Sequence, residues 1–381
     1  MFEYETIRFI WWLLIGVVMI AFAITDGFDF GVGALLPFLG RKDLERRVII
    51  NTVGSTWEGN QVWLVLLGGA IFAVWPSVYA TLFSGLYVAM MLLLFSLFLR
   101  PAGFDYRSKI EHPRWRSVWD WCLFLGGVIP PLLFGVLVGN LIRGLPFHLD
   151  ADLRPIYDGS FWELLAPFPL LCGFIGVLLT TVHGGIFLSW RTEGLLRDRS
   201  VSAVKILAPV LILAIVIGGY WVLSGYDRPE IAQFKGTSAA SNPMNKTIAE
   251  QNVAWTLNFV HYPLLWLAPI MALLGMSLAW MTVGRGQQGG GIAFLFSSVG
   301  IFGLLLTVGF ALFPFLLIST RDPRSSLTVW DATSSHSVLL IAFWITVLFL
   351  PIVLAYTRWV YKVMWGAVNE KAILDDPHTL Y

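Results

Sequence analysis

Residues 9–36 read FIWWLLIGVVMIAFAITDGFDFGVGALL, an apolar run broken only by Asp26 and Asp29. A hydrocarbon layer about 30 Å thick is crossed by roughly 20 apolar residues in a helix. The run is therefore read as a transmembrane helix carrying two carboxylates, three apart and so on one face. Gly27, Gly31 and Gly33 beside them would let a second helix approach closely.

The rest of the chain repeats the pattern. Of 381 residues 57% are hydrophobic and 13% charged, and the mean hydropathy is +0.74. A soluble domain carries about 25% charged residues because it must hydrate its surface, so a water-soluble core is excluded. Apolar runs closed by charge clusters predict nine spans, at about 9–36, 57–75, 78–99, 117–142, 161–190, 203–223, 261–282, 290–317 and 335–362. Together they form a single polytopic membrane domain over 1–381, an all-α integral membrane protein. Its longest linker, 224–260, is rich in turn formers. The start, MFEYETIR, is acidic, unlike the basic start of a cleaved leader, so the first span is expected to be retained.

A net charge of +1 suggests no nucleic-acid partner. Cys122 and Cys172 both fall in apolar spans and read as small core residues. Sixteen Lys and Arg flank the spans on the face that receives the end of the first, against eight on the other. Basic loops stay in the cytoplasm, which predicts an outside N-terminus and a cytoplasmic C-terminus. Many of the eighteen tryptophans, such as Trp11, Trp12, Trp57, Trp75 and Trp190, lie near span ends, as interfacial belts require.

Charged groups inside a span face a protein interior or a wet cavity. Span two opens WEGNQVW, with Glu58 and Gln61 three apart and Asn60 and Trp63 alongside. Span three ends at Arg100, followed by Asp105 in RPAGFDYRSK. With the predicted orientation, three segments bring carboxylates to the cytoplasmic side at similar depth. A carboxylate out of water takes up protons more readily, whereas one paired with Arg stays ionised. Asp29 and Glu58 are thus read as a cytoplasmic proton inlet, and Arg100–Asp105 as a structural pair. The bland alternative makes all of them caps and span-end ties.

Among the histidines, only His183 lies well inside a span; His261 and His336 sit at span ends, and no HxxxH or ExxH occurs. No self-contained haem or metal site is expected. GRGQQGGG (284–291) lacks the Lys-Ser/Thr of a P-loop and reads as a flexible turn. SSLTVWDATSSH reads as a cap for the last span, with Asp331, Ser334 or Ser335 as the capping oxygen.

These motifs together resemble subunit II of the cytochrome bd quinol oxidases. The matching runs are RFIWWLLIGV, TDGFDFGVG, WEGNQVW, FSGLYVAM, RPAGFDYRSK, IPPLLFGVLVGN, SNPMNK, LFPFLLIST, SLTVWDATSS and the terminal HTLY, in order from residue 8 to 381. The resemblance implies nine helices, as two four-helix bundles plus one extra helix, in a multi-pass protein of the bacterial inner membrane. It implies a partner, subunit I, that ligates haem d and two b haems and oxidises quinol, with small single-span accessory subunits, lipid and quinone nearby. The complex would reduce oxygen to water and build a proton gradient without a pump. This chain would ligate no cofactor and hold no catalytic residue. It would line a proton path through Asp29, Glu58, Asp26, Gln61, Arg100, Asp105 and Tyr381, and oxygen or haem d access past Trp63 and Trp57. Glu58 stands where some members have Asp, and His336 where Gln is expected.

Two other readings compete. A proton-coupled secondary transporter would show broken helices about a midplane site and inverted symmetry, and the sequence suggests neither. A purely structural scaffold for subunit I would make the carboxylates irrelevant to turnover.

Overall fold

The computed structural model describes residues 2–234, 236–364, 366, 368 and 373. The helices in chain order are α1 (Tyr4–Leu39), α2 (Asp43–Val53), α3 (Trp57–Val74), α4 (Pro76–Gly85), α5 (Tyr87–Tyr106), α6 (Pro113–Arg143), α7 (Pro167–Arg191), α8 (Gly194–Gly225), α9 (Leu257–His261), α10 (Leu267–Thr282), α11 (Gly286–Leu312) and α12 (His336–Val363). Among the described residues eight helices are long and apolar enough to span a membrane, and nine if the bent pair α3–α4 counts as one.

The bend corrects the predicted second and third spans. Pro76 drives the residue before it out of the helical region, and Trp75 lies at φ −127°, ψ 71°. The chain turns by 119° into α4, and the third membrane helix starts at Tyr87 rather than at 78. The short α2 is a second departure, since its charged DLERR start hides it from a search for apolar runs. The glycine-rich stretch is a third. Residues 286–291 open α11, and Gly290 and Gly291 lie against Trp190, where a Cβ would come within about 3 Å of that residue.

Two four-helix groups are visible in the packing. In one, α1 contacts α3 and α6, and α6 contacts α5; in the other, α7, α8, α10 and α11 form a closed ring. The groups join where α1 and α6 meet α7. α12 stands apart, packed on α1 and α3, with Leu339 its one fully buried residue among those described.

Glycine sets how closely α1 and α7 approach. A Cβ on Gly31 would lie 1.9 Å from the carbonyl oxygen of Thr180, so the backbones touch only because none is present.

Among the described residues, four two-stranded antiparallel ribbons lie in the loops on the face where α1 begins: Phe147–Leu149 with Pro155–Tyr157, Asp227–Arg228 with Val253–Ala254, Ile231–Phe234 with Lys246–Ile248, and Phe315–Leu317 with Leu327–Thr328. Buried polar ties hold this face together. Lys246 pairs with Asp331 at 2.9 Å. The Arg8 guanidinium donates to Thr333 Oγ1, Ser241 Oγ and the carbonyls of Thr237 and Ala239. Ser334 serves α3 rather than α12, giving its N–H to Val74 O and its hydroxyl to Ala73 O. Asp331 accepts from Thr328 N, and Ser335, at the N-cap position of α12, makes no capping bond through its side chain. The expected cap is therefore a set of ties between segments. His336 bonds the carbonyl of Phe2 at 3.0 Å and so anchors the chain start.

A buried carboxylate cluster as candidate functional site

Asp26 and Asp29 both point into the protein, at 0% and 2% exposure. Their shared face of α1 meets α5 and α3. From α5, Arg100 reaches Asp26 through two bonds, Nη2 to Oδ1 at 2.6 Å and Nη1 to Oδ2 at 3.1 Å. The guanidinium also lies 4.3 Å from the centre of the Phe30 ring and 5.9 Å from that of Trp57. The expected Arg100–Asp105 pair is thereby corrected. Five residues along a helix is a rotation of about 140°, so Asp105 faces out, exposed, while Arg100 faces in.

Asp29 meets a different partner. Asn60 Nδ2, from the first turn of α3, donates to its Oδ2 at 2.7 Å. The amide oxygen of Asn60 in turn accepts from Tyr361 OH, near the end of α12, also at 2.7 Å. Asp29 Oδ1 is buried and has no hydrogen-bond partner among the described residues. Among the described residues, three of the four carboxylate oxygens are thus committed and one has no partner.

Other predicted residues lie around this centre. Glu58 is exposed on α3, since two residues before Asn60 lies on nearly the opposite side of the helix. It does not join Asp29 in the interior. Gln61 is half-buried. Trp57 is buried and stacks on Phe104, ring centres 5.0 Å apart. Trp63 is buried among Val18, Phe22, Phe30, Leu93 and Leu97. Tyr381 lies outside the described residues.

Three participants carry little signal in the sequence. Asn60 reads as no more than a neighbour of Glu58, and Tyr361 looks like any aromatic at a span end. Asp120, 1% exposed in an apolar stretch, was the available signal for an ion-pair net. It joins Arg107 and Arg46, each at 2.6 Å, while Asp43 joins Arg107 and Arg116. This net ties α2 and α6 to the residues after α5.

His183, the one histidine deep in a span, has both ring nitrogens engaged, Nδ1 with Ser297 Oγ at 2.7 Å and Nε2 with Ile24 O at 3.0 Å. Its ring stacks on Phe294 with centres 4.6 Å apart. No cluster of three His, Cys, Asp or Glu able to hold a metal ion occurs among the described residues.

Known proteins match the whole chain. Residues 7–364 match the family described as cytochrome bd terminal oxidase subunit II. The chain is 47% identical over 381 residues to the cytochrome bd-I ubiquinol oxidase subunit 2 of Escherichia coli strain K12, covering all of both chains. It is 45% identical to a probable cytochrome oxidase subunit 2 of Haemophilus influenzae, again over both full lengths. To the cytochrome bd ubiquinol oxidase subunit 2 of Bacillus subtilis it is 32% identical, over 95% of this chain and 97% of that one. The fold is similar to a chain of the bd oxidase structure from Geobacillus thermodenitrificans, with TM-score 0.66, 15% identity, and 93% of this chain and 98% of that chain covered. By sequence over its full length, this chain belongs to the cytochrome bd terminal oxidase subunit II family.

Proposed function

We propose that this chain is the non-haem-ligating subunit of a quinol-oxidising bd-type oxidase in the bacterial inner membrane, and that its buried cluster takes protons from the cytoplasm for oxygen reduction. Family membership makes it a subunit of an oxidoreductase complex that contains haem. His183, the one histidine deep in a span, has both ring nitrogens engaged and its ring stacked on Phe294, which supports placing the haems on a partner. Haem d and the two b haems are accordingly assigned to subunit I, with quinol oxidised there; small accessory subunits, lipid and quinone complete the assembly.

One observation carries the proton reading: among the described residues, Asp29 Oδ1 is the single uncommitted carboxylate oxygen of the Asp26–Asp29 pair. A buried polar atom without a partner costs free energy, and its retention here suits a site that binds a proton in passing. Asp26, held at both oxygens by Arg100, suits a fixed countercharge. The more basic face is assigned to the cytoplasm, which puts the cluster in the inner half. Quinol protons released outside and oxygen protons drawn from inside then separate charge with no pump. Glu58, exposed on α3, is assigned to the rim where protons arrive, with Gln61 and Asp105; Tyr381, outside the described residues, is assigned to the same proton path by sequence alone. Trp57 and Trp63 are assigned to the oxygen and haem d side.

The scaffold reading rests on the Arg100–Asp26 pair, which ties α5 to α1 whatever the turnover. Purifying the complex with Glu58→Gln or Asp29→Asn, then measuring oxygen uptake and haem absorption, separates the two. Slow uptake with normal haem supports the inlet, and full activity contradicts it. Loss of haem supports the scaffold.

A further inference from the structure

The hydrogen-bond chain beside Asp29 has a direction. An ionised carboxylate only accepts, so Asn60 must turn its NH2 toward Asp29 and its oxygen away. That oxygen then needs a donor, and Tyr361 OH supplies it at 2.7 Å. Turning the amide over would bring its NH2 against the phenol and leave the Tyr361 hydroxyl hydrogen without this acceptor. A proton on Asp29 Oδ2 would make the acceptor of the Asn60 NH2 a hydroxyl oxygen and weaken that bond. A proton on Oδ1 meets no such obstacle, because that atom has no partner among the described residues. We propose that Asn60, locked by Tyr361, is a positioning residue that keeps Oδ2 as an acceptor and directs an incoming proton to Oδ1 of Asp29.

This deepens the inlet reading and rests on it. The lock also has a built-in dependence on α12. That helix turns most of its surface away from this chain, and only 6% of its most apolar stretch is buried here. Tyr361 reaches back from it into the interior, so the seating of α12 sets the orientation of an amide on α3 and, through it, of a carboxylate on α1.

The test uses the whole purified complex, with infrared difference spectra between oxidised and reduced forms and oxygen uptake at saturating quinol. The expected wild-type spectrum contains a carboxyl C=O band that Asp29→Asn removes. Tyr361→Phe, which deletes one oxygen atom, should shift that band and slow uptake by about 2- to 10-fold, the span of one hydrogen bond. Asn60→Leu should do the same, and the double variant should be no slower than Asn60→Leu, because the two act as one unit. Tyr356→Phe, at an exposed tyrosine of the same helix, should change neither. If Asp29→Asn removes the band but Tyr361→Phe leaves band and rate as in wild type, the lock is overturned and the inlet stands. If Tyr361→Phe loses haem, Tyr361 is a structural anchor and the lock is likewise overturned. If Asp29→Asn is fully active and removes no band, the inlet reading itself falls, and the lock with it.

Discussion

Arg100 holds both oxygens of Asp26, and the two side chains are 3% and 0% exposed. Each charge is tolerated in the interior because the other is there. Removing one partner of such a pair strands the other and costs about 3–5 kcal/mol, whereas removing both for apolar groups of similar volume is often near neutral. Arg100→Met should therefore lower the melting temperature of the purified complex sharply. The double variant Asp26→Leu, Arg100→Met should recover most of the loss. Thermal melting followed by haem absorbance decides it, and a double variant as unstable as the single one would contradict the paired account.

Gly31 carries a steric prediction. Gly31→Ala would place a methyl 1.9 Å from Thr180 O, a backbone atom that cannot swing aside. α1 and α7 would have to separate, at a cost of about 1–3 kcal/mol or more. Gly16→Ala, with nothing within 4 Å of the new atom, is the matched control on the same helix. The yield of assembled complex should fall for the first and hold for the second.

Glu45 carries a pH prediction. Burial would raise its pKa, but the Arg199 guanidinium at 2.9 Å and the backbone N–H groups of Lys42 and Arg41 outweigh this and hold it below the usual glutamate value of 4.5. A carboxyl with a lowered folded-state pKa stabilises the fold above its unfolded-state pKa. That stability is lost as pH falls through the folded-state value. Glu45→Gln should thus melt lower than wild type at neutral pH, with the gap narrowing below pH about 4.5. A gap that stays constant with pH would show that Glu45 acts through packing alone.

On the opposite face, Lys246 and Asp331 join the long 226–256 connection to the start of α12. Burial lowers the Lys246 pKa, and the Asp331 carboxylate opposes that shift. Lys246→Met leaves Asp331, 7% exposed in its side chain, without its cation. Limited proteolysis should then cut within 236–250 faster than in wild type, while Lys246→Arg should resist better than Lys246→Met. Equal cutting rates in all three would remove the pair from the account of this loop.

Much of this was legible in the sequence. Asp26 and Asp29 stand out because carboxylates are expensive in an apolar run, and their spacing puts them on one face. Helix geometry explains what was misread. The nearest acid to Arg100 in sequence is Asp105, yet it lies about 140° round the same helix, and the true partner is 74 residues away on α1. Glu58 reads in sequence as part of the inlet beside Asp29, but Asn60 occupies the inward face of that turn and Glu58 is exposed. Tyr361 could not be found from pattern, since an aromatic at a span end already has an adequate explanation as an interfacial anchor. The 119° bend was half legible in Pro76. Its surroundings were not legible, since the carbonyls of Ala73 and Val74 at the end of α3 accept from Ser334, 261 residues on from Ala73.

The most direct measurement of the central claim is proton uptake during a single turnover. The fully reduced complex, with Asp29→Asn in this chain and haem content matched to wild type, is mixed with oxygen while a pH dye reports protons leaving solution. The account predicts that electrons still reach oxygen-bound haem at the wild-type rate but that proton uptake lags, by about 10- to 1,000-fold for loss of a proton-carrying group. Uptake in step with wild type would contradict it and leave the buried carboxylates as structure alone.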